Sequence, residues 1–306
     1  MNAVYTNVPD SSPFSLGNDQ AYQAWRDRKL QQYPESPEEL LVQVVDPANP
    51  DSTESQQMLG ILRKTNMVIY RCKGVARADK EIPRKLGHHF GLERLDPNLL
   101  ADDDGITSLE LVAGKSLRGY IPYSNRRLQW HTDGYYNTPD RQIRAFILHC
   151  VRPALQGGEN GLIDHELVYI RLRDENPDYI RALMQADVMT IPANEEDSSA
   201  GRVEQPGPVF SVEPATGCLH MRYTARTRSI VWADDEASRA AVAALQDILA
   251  AEDGVFHYKL GPGEGLICNN VLHSRTAFVN GNNESEQRLM YRARYYDRIR
   301  DTGMMA

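Results

Sequence analysis

Apolar and polar positions divide the chain into two textures. Up to about residue 90, helical and extended patterns take turns. Residues 22–30 read as a short helix, and residues 55–65 place Met58, Leu59 and Leu62 at helical spacing. Residues 40–45, closed by Asp46 and Pro47, and the β-rich run 66–72 read as strands, with a further helix over 82–90. From Ser108 onward the pattern becomes short β-rich runs separated by turn residues, at 109–112, 144–151, 162–164, 209–212, 218–224, 254–260, 265–269 and 288–296. Many short strands punctuated in this way predict a barrel or jelly roll rather than an alternating β-α-β sheet. Two helices interrupt the series. One covers 165–176 and continues from Pro177 to Met184; the other covers 236–251, where Ala240, Ala241, Ala244, Leu245 and Ile248 form an apolar stripe for the core. The expected fold class is therefore mainly β with flanking helices.

The same pattern organises the chain as one unit. Residues 1–20 are polar, contain Pro and Gly, show little periodicity, and predict a loosely held arm or an oligomer contact. Residues 21–306 read as a single domain. Within it, 190–208 is expected to be an insert or mobile lid, because 194–205 is charged and lacks apolar periodicity.

Composition narrows the function. A chain of 306 residues, 41% hydrophobic and 25% charged, buries a substantial core without needing metal or disulfides to hold it. It has no apolar run of bilayer length and no basic-then-apolar leader, so the expectation is a cytoplasmic protein that does not engage membranes. Cys72, Cys150, Cys218 and Cys268 are scattered singly among apolar neighbours, which fits reduced thiols better than zinc ligation. A net charge of −8 argues against a nucleic-acid partner, since that binding rests on clustered cations.

The stretch from Gln129 to Tyr136 carries the candidate chemistry. His131 and Asp133 stand two residues apart, so on an extended strand both project from one face. Joined by one distant histidine they would make the two-His-one-carboxylate set that holds non-haem Fe(II) with open positions. Alone the pair is weak: with 8 His and 23 Asp in 306 residues, a His-x-Asp arises by chance about 0.6 times. The candidate third ligand is His273, on the β-rich run 265–278, which follows a turn at 261–265. Arg288 opens the next strand run, and a bidentate guanidinium there suits the distal carboxylate of a chelating 2-oxo acid. A zinc hydrolase can use two His and one carboxylate as well, and a silent small-molecule sensor is a further alternative.

The ordered set of segments, Trp130 to Gly134, Phe146 to Cys150, Gly157 to Asp164, Asn269 to Arg275 and the strand opened by Arg288, resembles the taurine dioxygenase family of Fe(II)- and 2-oxoglutarate-dependent oxygenases. Its Leu-His-Cys and Gly-Gly segments are similar to those of the γ-butyrobetaine hydroxylase branch. The resemblance runs from about Leu41 to Tyr296 and implies a double-stranded β-helix, or jelly-roll, core. It implies iron ligands His131, Asp133 and His273, and 2-oxoglutarate contacts from Arg288 and Asn160, the latter standing where relatives often have Thr. It implies O2 as co-substrate, release of succinate and CO2, and a homo-oligomer. Halogenating relatives lack the carboxylate found here at Asp133, so hydroxylation of an aliphatic C–H is the expected outcome.

For the substrate, Tyr123, Tyr135 and Tyr136 are expected near the pocket. Alternation places His220, Arg222, Thr224 and Arg226 on one face of their run. Arg222 and Arg292 therefore point to a small polar substrate with an anionic group, a carboxylate or sulfonate, on a molecule that can also carry an amine.

Overall fold

The computed structural model describes residues 8–72, 78–97, 104–111, 123–193, 203–227 and 230–304. Helix α1 (Asp19–Leu30), strand β1 (Leu41–Val44), helix α2 (Ser52–Thr65), strand β2 (Met67–Cys72) and helix α3 (Glu81–His89) come first. Strands β3 (Thr107–Glu110), β4 (Leu128–His131), β5 (Ala145–Arg152), β6 (Gln156–Gly157) and β7 (Asn160–Ile163) follow. Helices α4 (His165–Glu175) and α5 (Pro177–Leu183) lead to β8 (Met189–Ile191), β9 (Gln205–Gly207), β10 (Phe210–Val212), β11 (Leu219–Met221) and β12 (Val231–Trp232). Helix α6 (Glu236–Ala251) precedes β13 (Phe256–Tyr258), β14 (Glu264–Cys268), β15 (Leu272–Arg275), β16 (Phe278–Val279) and β17 (Leu289–Tyr295).

Two sheets form the jelly-roll core. The larger has the order β1-β2-β14-β5-β17-β3 and the smaller β13-β7-β15-β4. Strand alternation explains how the larger sheet is covered on both faces. Val68, Tyr70, Ala145 and Ile147 pack with Met58 and Leu62 of α2 and Leu86 of α3. Their neighbours Met67, Ile69, Phe146 and Leu148 pack the other way, with Leu162 of β7 and Phe256 of β13 in the smaller sheet. A third cluster joins α1, α4, α5 and α6 around Trp25, Tyr169, Ile180 and Leu245.

One edge of the larger sheet departs from the expected all-antiparallel pattern. β1 and β2 are parallel, with Leu41 opposite Ile69. Parallel neighbours need a crossover, and α2 supplies it. Its start is set by Asp51, whose carboxylate accepts from the backbone N–H of Thr53 and Glu54 while Glu54 reaches back to the Asp51 N–H. Its end is set by Asn66 in the left-handed region, at φ 59°.

The N-terminal arm is also corrected from Val8 onward. Phe14 is buried edge-on against Trp25 and Tyr169, with ring centroids 5.0 and 5.4 Å away. Arg173 of α4 donates to the carbonyls of Pro13 and Ser15, at 2.8 and 3.1 Å. One aromatic side chain and one guanidinium tie down a segment whose composition reads as loose. Of the expected lid, 194–202 lies outside the described residues; its flanks β8 and β9 pair antiparallel, with Ile191 opposite Gln205.

The helical layer is anchored by a buried ion triad. Lys29 of α1 lies 2.7 Å from Asp164 and 2.5 Å from Glu166, and all three side chains are buried. Removing one member of such a group leaves the others without compensation. Lys29→Ala is therefore expected to lower the unfolding free energy by about 3–5 kcal/mol, read as a shift in the urea midpoint. A shift under about 1 kcal/mol, the range of an exposed ion pair, would mean that water already screens the triad.

Candidate metal centre

The smaller sheet builds the site by register. β15 runs antiparallel to β4, and His273 stands directly opposite His131. The two imidazoles meet with ring centroids 4.1 Å apart, and Phe146 closes on His273 at 4.6 Å. Each ring is oriented by its own backbone: His131 Nδ1 lies 2.9 Å from the Gln129 carbonyl and His273 Nδ1 3.0 Å from the Val271 carbonyl. A carbonyl only accepts, so Nδ1 carries the proton in both rings and each Nε2 keeps a lone pair.

Asp133 follows the end of β4, past Thr132, whose backbone N–H donates to the Tyr223 carbonyl. The turn beyond it requires glycine. Gly134 has φ +66°, and a Cβ there would lie 2.4 Å from Ile143. One potential ligand atom each from His131, Asp133 and His273 can be chosen so that all lie within 4.8 Å of one another.

Electrostatics leaves this cluster in a cation-ready state. Burial, reinforced by the neighbouring His273, pushes His131 down to about 3, so it is neutral at pH 7. His273 is lowered by burial in the same direction. Burial opposes ionisation of Asp133, but Arg292 and Arg294 prevail and hold its carboxyl below the usual range. Arg292 Nη1 donates to Asp133 Oδ1 at 3.1 Å, while Oδ2 is buried with no hydrogen-bond partner. Such an oxygen costs about 1–3 kcal/mol if left alone. Two neutral nitrogens and one anionic oxygen therefore fit a divalent metal of the non-haem iron type.

A second group of cations adjoins the Gly157-Gly158 turn. Arg275 and Arg288 both stack over Phe278, with guanidinium carbons 4.8 and 5.3 Å from the ring centre. Arg275 Nη2 donates to the carbonyls of Ser124 and Arg126, whereas Arg288 is fixed through its backbone N–H to Asn280. Burial pushes Arg288 down to about 9, with Arg275 adding to the shift, and Arg275 itself down to about 10. Two buried guanidiniums with no carboxylate at ion-pair distance among the described residues favour an anion. The turn can approach because Gly157 and Gly158 have φ +67° and +74°; a Cβ on Gly157 would strike the Ala277 carbonyl at 2.1 Å. Asn160 opens β7 as the cross-strand neighbour of Arg275, and its Nδ2 donates to the Tyr258 carbonyl at 3.2 Å.

The residues expected around a substrate separate. Arg292 stands on Asp133. Tyr135 is half-buried, and its hydroxyl interacts with Thr224 and Arg226. Tyr123 is buried in the core cluster with Phe146 and Leu162, in keeping with packing. Arg222 is corrected: its guanidinium donates to the carbonyls of Tyr135, Met189 and Gln205 at 2.7, 2.9 and 2.7 Å. It ties three backbone segments together and cannot offer those donors to an anion.

Asn270 is the residue the motif reading passed over. Its side-chain oxygen accepts from the Asp133 N–H at 2.8 Å, and its Nδ2 donates to the carbonyls of Asp133 and Ile143 at 3.0 and 2.7 Å. It sits in the left-handed region at φ 50°, which Asn tolerates. The signal was present in the Asn269-Asn270 pair ahead of His273, but its partner became visible only through the fold.

With this geometry in hand, comparison with known proteins is decisive. The model of the taurine catabolism dioxygenase TauD, TfdA family matches residues 26–294. The chain belongs to the TauD, TfdA family. A uridine-5'-phosphate dioxygenase from an Amycolatopsis species is 28% identical over 159 residues, which is 49% of this chain and 54% of that protein. The gamma-butyrobetaine dioxygenase of Homo sapiens is 23% identical over 172 residues, 53% of this chain and 42% of that protein. The match thus spans about half the length of these relatives. Among solved structures, an asparagine oxygenase in complex with Fe(II), 2S,3S-3-hydroxyasparagine and succinate aligns with TM-score 0.56 at 15% identity, over 89% of this chain and 88% of its own. AAD-2 in complex with Mn(II) and N-oxalylglycine aligns with TM-score 0.60 at 14% identity, over 85% and 97%. These likenesses show the shared fold.

Two outcomes follow for this TauD, TfdA family member. Asn270→Gly deletes the amide but keeps the left-handed backbone accessible, and is expected to weaken Mn(II) binding by about 10–100-fold, measured by titration of folded protein. Unaltered affinity would show that Asp133 is held without Asn270. The second concerns acid. In the metal-free protein His131 and His149 are lowered to about 3 and about 4 from an ordinary 6.5. The unfolded chain then binds more protons, so stability is full above pH 6.5 and declines as pH falls toward these values, by about 1.4 kcal/mol per pH unit for each group. His131→Gln should flatten part of this slope in urea titrations; an unchanged slope would place the acid sensitivity elsewhere.

Proposed function

We propose that the chain is an Fe(II)- and 2-oxoglutarate-dependent dioxygenase that hydroxylates an aliphatic C–H of a small polar, anionic metabolite, with release of succinate and CO2. The observation that carries the reading is the convergence of His131, Asp133 and His273 with one buried, unpartnered carboxylate oxygen. Family membership supports it.

His131 and His273 would hold the iron through Nε2, their Nδ1 protons staying on backbone carbonyls. Asp133 would supply the anionic ligand, its carboxylate held by Arg292 through Oδ1, the oxygen that also lies 3.9 Å from His131 Nε2. Arg288 would take the distal carboxylate of 2-oxoglutarate, with Arg275 raising the positive potential and Asn160 beside it. The bound iron would supply the oxidising chemistry, reducing O2 with electrons from decarboxylation of 2-oxoglutarate and from the substrate C–H. The chain's own contribution is positioning and exclusion of water by buried His131, half-buried His273 and Phe146 packed against it.

For the substrate, the anion-binding role passes from Arg222 to Arg292 beside Asp133 and Arg226 beside Tyr135. Uridine-5'-phosphate and gamma-butyrobetaine, for which the matched relatives are named, are both small polar molecules with an anionic group.

Anaerobic titration of Fe(II)-loaded protein with 2-oxoglutarate should raise a weak, saturable visible charge-transfer band that is absent in His131→Ala and Asp133→Ala. No band despite bound iron would sink the reading and leave a hydrolase or a sensor. Arg288→Ala should raise the 2-oxoglutarate concentration at half-saturation by about tenfold or more, the loss of a charge-assisted bidentate contact, with iron affinity nearly unchanged. Equal loss of both would count against its assignment.

A further inference from the structure

The basic residues of this net-negative chain are not spread evenly, and one group of them surrounds a cavity lined by none of the metal-centre residues. The cavity, of about 220 Å3, opens between α1, the C-terminal end of α2 and the chain beyond β17. Arg28, Lys29, Arg63, Lys64 and Arg298 line it, against a single lining carboxylate, Glu166. Lys29 pairs with it and with Asp164 behind it, one cation between two carboxylates, so this triad offsets one of the other positive charges. Four cations remain, and among the described residues none of them has a carboxylate at ion-pair distance.

Neutral oxygens hold three of these cations in place without cancelling their charge. Arg63 Nε donates to the Asp301 carbonyl at 2.7 Å. Lys64 Nζ donates to the carbonyls of Arg28, at 2.8 Å, and Gln31. Arg298 Nη2 donates to Asn66 Oδ1 at 2.7 Å and the Thr302 carbonyl at 3.2 Å. These contacts leave both terminal nitrogens of Arg63, Nη1 of Arg298 and one ammonium proton of Lys64 without partners in the described protein, and the Arg28 guanidinium makes no hydrogen bond to a described residue. The crowding is felt: burial, then the charge of Lys29, lowers the Lys64 ammonium. Trp25, Cys218 and Met304 add apolar wall between the cations.

We propose that this cavity is a second binding site, separate from the metal centre, for a small soluble molecule bearing more than one negative charge, of the phosphate or carboxylate class. Guanidinium forks fit both groups, and each charge-assisted contact relieves mutual repulsion that the folded chain otherwise carries. The site does not depend on the oxygenase reading.

Titration calorimetry of the metal-free protein with inorganic phosphate, pyrophosphate and citrate at low ionic strength tests it. Saturable binding of one pyrophosphate or citrate per chain is expected, tighter than inorganic phosphate. Arg28→Ala with Arg63→Ala should weaken it by about tenfold or more, and added salt should weaken it further. Both side chains are exposed, so the double variant should fold, and an unchanged anion-free thermal midpoint verifies that. Arg288→Ala, which removes a cation of the candidate active site, should leave this binding intact. The proposal is overturned if none of the three anions binds saturably, if binding survives the double substitution, or if Arg288→Ala abolishes it.

Discussion

The register between β4 and β15 is the constraint on which the candidate centre depends. Side chains alternate across a strand, so a slip of one residue would send His131 and His273 to opposite faces. β15 is held on both edges, by β4 and by β7, and the pairing shifts between His273 and Arg275. That irregularity falls where the pairing passes from the histidine pair to Arg275, whose guanidinium stacks over Phe278. The larger sheet enters from the other side: Phe146 of β5 packs on His273, and Arg292 of β17 reaches Asp133.

Around that register several buried charges fall into separate groups of opposite sign. Asp133 meets Arg292, Arg294 meets Asp96 and Tyr136, and Lys29 meets Asp164 and Glu166. Arg275 and Arg288 differ, buried beside each other with no carboxylate at ion-pair distance among the described residues. Because burying unmatched charge is expensive, a pair of that kind marks a place where a ligand's charge belongs. The fold thus presents a candidate metal corner and a second corner of unmatched guanidiniums, at positions set by different strands.

Family membership and low identity are compatible for a physical reason. A jelly roll needs apolar alternation, turn residues and a few ligands, and leaves the side chains around the substrate free to change. Asn160 bonded to the Tyr258 carbonyl, and Arg222 absorbed into backbone bonding, are two local solutions of this chain. A guanidinium in a β-rich run near a site reads the same in sequence whether it meets a ligand or three carbonyls.

Much of the fold was legible in the chain itself because it rests on local signals. β-rich runs bounded by turn residues marked β5, β14 and β17, and the alanine stripe marked α6 with its observed bounds Glu236–Ala251. His131, Asp133 and His273 could be picked out because the His-x-Asp spacing is local, although Asp133 lies just past the end of β4, and the segments around it are distinctive. What pattern reading missed depends on partners far along the chain. The parallel β1-β2 pair, the docking of Phe14 and the capture of Arg222 are decided by which surface each segment meets after folding. Asn270 makes the same point: nothing local links it to Asp133, yet its amide makes two hydrogen bonds to Asp133 and a third to the Ile143 carbonyl. Sequence by itself determined which elements form and which side chains can do chemistry, because propensity and spacing are local. Only the tertiary structure decided which of those side chains are free and which are already bonded, because hydrogen bonds and charge pairs are set by distance in space.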